Sequence, residues 1–241
     1  MVKRRGLLIL RGLSFRYKGT VGNWKSIFEQ VVCTISHLKL VKSTINKYGV
    51  DFDIAIDTIN TPFDLILLFI LRKYLVYKNI SSWPDYSQID GILRFLTHIE
   101  HKLFEYDFIL LARNDIILFD NFINNFNPND EVIKFPFVHS HRARRVYGTS
   151  EHPIVGDAFM YFPKQYYHTM AIFNELPSGF HMHDIVHLLK EAKYIFEYGF
   201  YCNTYHDTNS EFEWNPLYKI SGRKHSKVTG SDLNLTYPKD F

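Results

Sequence analysis

Charged side chains that could bind an anionic ligand stand at the ends of several apolar runs in this sequence. Arg11 and Asp57 each end one such run, and Arg113 and Asp115 follow a third. An arginine can bind a phosphate group, and a carboxylate can bind the hydroxyls of a ribose or a divalent metal. If the three runs are neighbouring parallel strands, their carboxyl ends meet at the edge where open α/β sheets bind ligands. These positions therefore predict a nucleotide-binding site.

Each of these positions also has a plainer interpretation. Asp57 is followed by Thr58 shortly before a predicted helix, which is typical of a residue that caps a helix or a turn. Arg113 and Asp115 could form a turn and a local ion pair between two ordinary strands. In that case neither residue would contact a ligand.

The elements that must position these side chains alternate between strand and helix through residue 119. We predict strands at 7–10, 52–58, 75–77, 108–112 and 116–119, with helices at 24–38, 63–74 and 89–103. This alternation is typical of right-handed crossovers in a parallel sheet. The predicted fold class is therefore α/β: a single domain with a Rossmann-like, mostly parallel central sheet flanked by helices. The first helix has an apolar stripe that we expect to face the core: Trp24, Ile27, Phe28, Val31, Val32, Ile35 and Leu38.

The second half of the chain has a less regular pattern. We predict strands at 132–138, 154–162 and 194–202, helices at 163–173 and 183–192, and irregular structure from residue 203. Gly156 and Asp157 interrupt the strand at 154–162, and the polar, basic segment 140–153 is predicted to be a loop.

Composition excludes several classes of protein. The 241 residues are 46% hydrophobic and 22% charged, which excludes a disordered chain. The formal charge of +3 suits an anionic small ligand better than a nucleic acid. The two cysteines, Cys33 and Cys202, support neither a disulfide framework nor a structural zinc site. No apolar run approaches the length of a membrane-spanning helix, so we expect a cytoplasmic protein.

Several short segments, taken in chain order, resemble the GT-A type of glycosyltransferase. They are Leu-Ile-Leu-Arg-Gly-x-Ser-Phe-Arg from residue 8, Asp-x-Asp-x-x-x-Asp-Thr from residue 51, a helix with Gln88, Tyr-Asp-Phe-Ile-Leu-Leu-Ala-Arg-Asn-Asp-Ile from residue 106, and Gly-Asp-x-Phe-Met-Tyr-Phe from residue 156. Similar small enzymes occur in large DNA viruses of algae and protists and in bacterial polysaccharide loci. The resemblance covers most of residues 6–200.

This resemblance implies a GT-A-like fold, a nucleotide-sugar donor, a glycan or other hydroxyl acceptor, and hexosyl- or pentosyltransferase activity. Residues 1–119 would bind the donor and residues 120–241 the acceptor. It also implies an Asp-x-Asp motif that holds a divalent metal, Mg²⁺ or Mn²⁺, against the diphosphate. The matching segment here is Arg113-Asn114-Asp115, so Asp115 is the candidate metal ligand and Arg113 could neutralise phosphate charge itself. A viral enzyme of this kind would work in the host-cell cytoplasm.

The expected site residues form two groups. The donor-binding group consists of Arg11, Gly12, Asp57, Gln88, Arg113 and Asp115. The candidate catalytic residues are Asp157, Asp184 and His183, and either aspartate could deprotonate the acceptor hydroxyl if the reaction inverts the anomeric centre. A histidine of the tail, His206 or His225, could favour Mn²⁺ over Mg²⁺.

Two alternative functions stay open at this level. His181, His183 and His187 could bind zinc in a metal-dependent hydrolase, although the Glu of a His-Glu-x-x-His motif is missing. A non-catalytic sugar- or nucleotide-binding module would use an aromatic-rich cleft, and aromatic residues are 17% of the chain.

Overall fold

The computed structural model describes residues 3–12, 14–15, 24–81, 88–138, 159–168, 196–201 and 218–220. Within them, the strands are β1 (Arg5–Arg11), β2 (Asp51–Ile59), β3 (Leu75–Ser81), β4 (Phe108–Arg113), β5 (Ile116–Leu118), β6 (Ile133–Val138), β7 (Phe159–Pro163), β8 (Phe196–Tyr201) and β9 (Tyr218–Ile220). The helices are α1 (Ile27–Tyr48), preceded by a 3₁₀ turn at Trp24–Ser26, α2 (Asp64–Leu71), α3 (Gln88–Leu103) and α4 (Asp120–Asn125).

Strands from both halves of the chain form one seven-stranded sheet in the order β3-β2-β1-β4-β7-β6-β8. The first four strands in this order are parallel neighbours. β7 pairs antiparallel with β4 and β6, and β8 pairs parallel with β6. Six of the seven strands therefore run in one direction. This arrangement confirms the predicted α/β fold class with a mostly parallel central sheet.

Two apolar layers cover the two faces of this sheet. All six residues of β4 are buried, which explains its unbroken apolar run. Side chains of alternate strand positions pack on one face against α1, α2 and α4, and on the other face against α3. Among the residues that the structure describes, no helix is both long enough and apolar enough to cross a membrane.

The orientation of α1 differs from the sequence-based expectation. Trp24, Phe28 and Ile35 are exposed, so the predicted inward direction is wrong for these residues, whereas Ile27 and Leu38 of the same stripe are half-buried and pack against the core. The buried face of the helix is largely polar and consists of Gln30, Cys33, Thr34, Ser36, His37, Leu40, Val41 and Thr44.

The buried polar face of α1 is stable because its side chains have hydrogen-bond acceptors. Thr34 and Thr44 donate to the carbonyls four residues earlier, and Ser36 donates to the Cys33 carbonyl. Ser36 also accepts a hydrogen bond from the Leu118 amide of β5, at 3.0 Å. A buried hydroxyl with a partner avoids most of the cost of leaving water, so the apolar pattern alone did not predict the face.

Helix and strand ends follow local chemistry. Gly49 ends α1 in a left-handed conformation (φ 66°), and its amide donates to the Ile45 carbonyl. Asp64 begins α2 and accepts hydrogen bonds from the amide and the hydroxyl of Thr61. Two strands differ from prediction: β3 continues to Ser81, and β9 pairs with β5 although the tail was expected to be irregular. The predicted strand start at 154–158, the loop at 140–153 and the helix at 183–192 lie outside the described residues.

Candidate functional site

Four polar side chains lie in a row across the carboxyl ends of four parallel strands. In the strand register, Arg11 of β1 is opposite Asp57 of β2 on one side and opposite Arg113 of β4 on the other. Asp57 is in turn opposite Asn79 of β3. Neighbours in register point to the same face of a sheet, so the row faces the layer that contains α3. Two guanidinium groups and a carboxylate are thus positioned side by side.

The row lies where the strand order reverses. From β1, the chain continues to β2 and β3 on one side, whereas β4 joins the sheet on the other side. Helices that follow strands on opposite sides leave a crevice at such a point, outside the carboxyl ends of the strands. Arg11 and Arg113 end the two strands that border this crevice. The sheet topology therefore brings two positive charges to the position where α/β proteins bind anionic ligands.

Buried charges at this edge are balanced by carboxylates. The side chain of Arg113 donates two parallel hydrogen bonds to Asp115, Nε to Oδ1 at 2.8 Å and Nη2 to Oδ2 at 2.7 Å. The two side chains are only 8% and 4% exposed. Asp57 accepts a hydrogen bond of 2.7 Å from the Asn79 side chain. The local ion pair that the plainer interpretation predicted for Arg113 and Asp115 is therefore present, and contact of either residue with a ligand stays a prediction.

The loop after β1 approaches the same edge in a strained conformation. Gly12 has φ 102° and Phe15 has φ 51°, and a positive φ at a phenylalanine is rare. The Gln30 side chain of α1 holds the loop: its Oε1 accepts from the Phe15 amide at 2.9 Å, and its Nε2 donates to the Asn114 carbonyl at 2.8 Å. Strained loops held by surrounding contacts are concentrated at ligand sites. A buried glutamine on the first helix therefore connects the two loops of the crevice.

Asn114 connects the end of β4 to the end of β1 by hydrogen bonds. Its amide donates to the Arg11 carbonyl, and its side-chain Nδ2 donates to the Gly12 carbonyl, both at 2.9 Å. These bonds fix the orientation of the carboxamide, since a flipped group would place two acceptors together. Its buried Oδ1 has no hydrogen-bond partner in the structure. An acceptor of this kind is available to a donor group of a ligand.

His37 of α1 is buried directly behind this edge. Its Nδ1 donates to the Cys33 carbonyl at 2.8 Å. Burial lowers the pKa of His37 to about 4, although the Cys33 carbonyl, the charge of Asp115 and the Arg113 backbone act in the opposite direction. The imidazole is therefore neutral at neutral pH.

We expect the buried His37 to make the protein less stable in acid. The unfolded state takes up a proton near pH 6.5 and the folded state only near pH 4, so the free energy of unfolding falls as the pH falls through this interval. The loss for a shift of this size is about 3 kcal/mol. Urea unfolding at a series of pH values measures it, and His37→Leu should flatten the pH dependence. An equally steep dependence in His37→Leu would show that other groups cause the acid sensitivity.

The structure brings together five of the expected site residues: Arg11, Gly12, Asp57, Arg113 and Asp115. Gln88 is the first residue of α3, and a crossover helix begins at the carboxyl edge of the sheet. The remaining candidates lie outside the described residues: Asp157, Asp184, His181, His183, His187, His206 and His225.

Sequence reasoning did not assign four residues that shape this edge. Asn79 lies beyond the predicted end of β3, and Gln30 and His37 were hidden in a helix whose apolar stripe suggested the opposite face. Asn114 lies in the Arg113-Asn114-Asp115 segment, but no function was predicted for it from the sequence. For Gln30 and His37, the sequence offered one sign of a role at this edge: each is a large polar side chain within a helix that was expected to pack on a sheet.

The described residues contain no group of three histidine, cysteine, aspartate or glutamate side chains that could hold a metal ion. Asp115 is the carboxylate expected to bind a divalent cation, and Arg113 already occupies both of its oxygens. Mg²⁺ and Mn²⁺ need several oxygen ligands. The described part of the site therefore does not fit a divalent cation unless the ion pair opens.

No protein-family model matches this chain, and no curated protein matches its sequence. Solved structures do match. The inositol-1-phosphate CTP transferase of T. maritima is 9% identical, with a TM-score of 0.50 and coverage of 83% of this chain and 86% of that chain. A glycosyltransferase involved in glycosylation of the major capsid of PBCV-1 is 10% identical, with a TM-score of 0.47 and coverage of 92% and 96%. A mutant of Drosophila β1,4-galactosyltransferase 7, in complex with manganese, UDP-Gal and xylobiose, is 14% identical, with a TM-score of 0.40 and coverage of 96% and 84%.

The first of these likenesses supports the fold. The T. maritima enzyme has the TM-score that supports a common fold, and it shares an α/β architecture over most of both chains. The chain therefore has the GT-A-like α/β fold that the sequence resemblance implied. Sequence identities of 9 to 14% do not carry the reaction or the substrates across.

Proposed function

We propose that this protein is a glycosyltransferase that moves a sugar from a nucleotide-diphosphate sugar to a hydroxyl group of a glycan or another acceptor. The observation that carries the proposal is the placement of Arg11 and Arg113 on adjacent strands at the point where the strand order reverses. A diphosphate is a compact dianion, and two guanidinium groups held on adjacent strands would supply positive charge to it. The GT-A-like fold supports the same class of donor.

The donor-binding group divides by chemistry. Arg11 and Arg113 would neutralise the diphosphate, and Gly12 would let the backbone come close to it because no side chain projects there. Asp57, held by Asn79, would accept a hydrogen bond from a ribose hydroxyl. Gln88 would meet the nucleotide from the start of α3, on the same face of the sheet.

A divalent cation, Mg²⁺ or Mn²⁺, is a separate part of the proposal, with Asp115 as its ligand. The cation would have to displace the Arg113 guanidinium from Asp115, since both carboxylate oxygens accept hydrogen bonds from it. Bound there, a cation would supply positive charge to the diphosphate, as Arg113 would do without a metal. The geometry therefore favours Arg113 as the principal positive charge, and a metal contribution would depend on ligands outside the described residues.

The acceptor half of the proposal rests on the sequence alone. Residues 120–241 would bind the acceptor, with Asp157 or Asp184 as the base that removes the proton of the attacking hydroxyl and His183 as a contact to substrate. A positioned general base contributes about 10²- to 10⁴-fold to the rate. Whether the sugar is a hexose or a pentose is decided by residues of the sugar pocket, and a panel of donors can identify it.

We expect a nucleotide-diphosphate sugar to stabilise the folded protein. A ligand present at about 100 times its dissociation constant adds about 2.7 kcal/mol to the free energy of unfolding. Thermal unfolding should be measured with a panel of nucleotide sugars, once with EDTA and once with MnCl₂. A stabilising donor in EDTA supports the arginine-based site, and a shift that needs Mn²⁺ supports the Asp115 metal site. If no donor raises the unfolding temperature under either condition, the proposed function is wrong.

Binding and transfer can then be separated with the stabilising donor. A glycosyltransferase releases the nucleotide diphosphate when a hydroxyl acceptor is present, whereas a non-catalytic binding module releases none. Asp157→Asn and Asp184→Asn should keep the thermal shift, and the one that removes the general base should lower nucleotide release by about 10²- to 10⁴-fold. Loss of the thermal shift in both variants would instead assign these aspartates to donor binding.

A further inference from the structure

The outward faces of α1 and α2 form one surface with an unusual distribution of side chains. Its apolar members are large and well exposed: Trp24 (69%), Phe28 (78%) and Ile35 (53%) on α1 and its preceding turn, and Leu65 (78%) and Phe69 (64%) on α2. Both helices pack on the same face of the sheet and contact each other. Their outward sides therefore belong to a single surface, which we call the outer helical surface.

The apolar and the cationic side chains lie toward opposite ends of this surface, because the two helices run in the same direction. Each connects parallel strands and runs antiparallel to them, so both begin at the carboxyl edge of the sheet. The exposed aromatic and aliphatic side chains lie mostly in the first turns, whereas exposed cations follow toward the other end. These cations are Lys39, Lys42 and Lys47 on α1, and Arg72 and Lys73 after α2. The outer helical surface is thus apolar near the crevice and basic away from it.

Positive charge dominates the outer helical surface. Residues 24–48 contain four lysines and one glutamate, and residues 63–74 contain Arg72, Lys73 and one aspartate. That aspartate, Asp64, is buried at the start of α2. Lys39 has an exposed partner, Asp120, and exposed ion pairs are weak and screened by salt. The whole chain has a formal charge of only +3, so the excess is concentrated here.

Apolar and cationic side chains also meet at close range on this surface. Ile35 and Leu38 line a shallow groove together with Lys39, Lys42 and Lys47. On α2, the Arg72 guanidinium lies 3.9 Å from the centre of the Phe69 ring. Such a combination of a bulky apolar group beside a cation is typical of helices that lie in the headgroup region of a membrane.

We propose that the outer helical surface docks on an anionic membrane. Trp24, Phe28, Ile35, Leu65 and Phe69 would enter the boundary between headgroups and acyl chains, and the lysines and Arg72 would contact anionic headgroups. The distribution of side chains on α1 fits this role, because much of its buried face is polar while Phe28 and Ile35 are exposed on its outward face. A second copy of the chain fits less well, since a two-fold contact would bring two copies of the same basic surface together.

Vesicle co-sedimentation tests the proposal with the whole protein. We expect binding to vesicles of equimolar phosphatidylcholine and phosphatidylserine, weakened by salt, and little binding to phosphatidylcholine alone. The double variant Phe28→Ser and Phe69→Ser should lose most of this binding. Lys42→Glu and Lys73→Glu should lower it about fivefold for each lost cation. All four residues are exposed, so the variants should unfold at the same temperature as the wild type.

Matched controls come from the other side of the sheet. Phe104→Ser removes an equally exposed phenylalanine near the end of α3, and Lys102→Glu reverses an exposed lysine of the same helix. Both should bind the anionic vesicles like the wild type. The proposal fails if the wild type ignores the vesicles, if it binds both compositions equally, or if the controls lose binding as much as the test variants. A concentration-dependent dimer that the Phe28→Ser and Phe69→Ser variant dissociates, without vesicle binding, would assign the surface to a second copy instead.

Discussion

Asp115→Asn is expected to lower the free energy of unfolding by about 3–5 kcal/mol, because it leaves the buried Arg113 guanidinium without its carboxylate. The two hydrogen bonds of this pair are short and parallel, and both side chains are almost fully excluded from water. Urea unfolding followed by circular dichroism measures the change. The value is large relative to the 5–15 kcal/mol that stabilises a typical domain.

The exposed pair of Lys39 and Asp120 provides the matched control for this measurement. Its side chains are 57% and 66% exposed, and Asp120→Asn should cost no more than about 1 kcal/mol. Replacing both partners of the buried pair, Arg113→Met with Asp115→Leu, should cost less than Asp115→Asn alone, since no unpaired charge remains. If Asp115→Asn lowers the free energy of unfolding no more than Asp120→Asn does, the buried ion pair does not stabilise this edge of the sheet.

Arg11→Gln is expected to weaken the binding of the stabilising nucleotide sugar by about 10- to 150-fold, the range for a hydrogen bond to a charged group. Arg11 ends β1 beside Arg113, and a neutral amide there would leave one guanidinium for two phosphate groups. Arg113→Lys should also weaken binding, since lysine keeps the charge but cannot donate two parallel hydrogen bonds. Isothermal titration below the unfolding temperature of each variant measures the affinities.

Controls separate this effect from a general loss of positive charge. Arg72→Gln removes an exposed arginine at the other end of the sheet and should leave donor affinity unchanged. Arg113→Asp recreates an Asp-x-Asp sequence at 113–115 and frees Asp115 from its partner, so donor binding should be lost in EDTA and should return in part with Mn²⁺. Unchanged donor affinity in Arg11→Gln and Arg113→Lys would remove the diphosphate from this part of the sheet.

Much of the fold follows from local patterns. Buried parallel strands are largely apolar, so β1, β2 and β4 could be located from the sequence. The polar residues at their ends, Arg11, Asp57 and Arg113, predicted the edge of the sheet at which these side chains lie together. The position of each strand in the order of the sheet depends on pairing between segments that are far apart in the sequence. No local pattern encodes that pairing. The position of β7 beside β4 and the pairing of β9 with β5 are of this kind.

The orientation of α1 was not predictable for a different reason. An apolar stripe usually faces the core because burial of apolar surface is the main gain in free energy. In α1, Gln30, Ser36 and His37 make hydrogen bonds to the helix, to the loop after β1 and to β5, and these contacts fix the inner face. The partners from other elements are the Phe15 and Leu118 amides and the Asn114 carbonyl, and the sequence of the helix alone contains no sign of them. The ion pair of Arg113 and Asp115, by contrast, was one of the two alternatives that the sequence left open, and it is present in the structure.

The central place of β1 in the sheet also bears on how the chain folds as it is synthesised. β1 is synthesised before β2 and β4, and it can pair with β2 soon after β2 is made, but its other partner, β4, ends only at residue 113. Until then, a nascent chain that has completed β3 has an open edge along the apolar segment Leu7–Leu10. Unpaired edges with apolar side chains are sites of aggregation. Chains halted between Ser81 and Phe108 should therefore be the ones that depend most on chaperones.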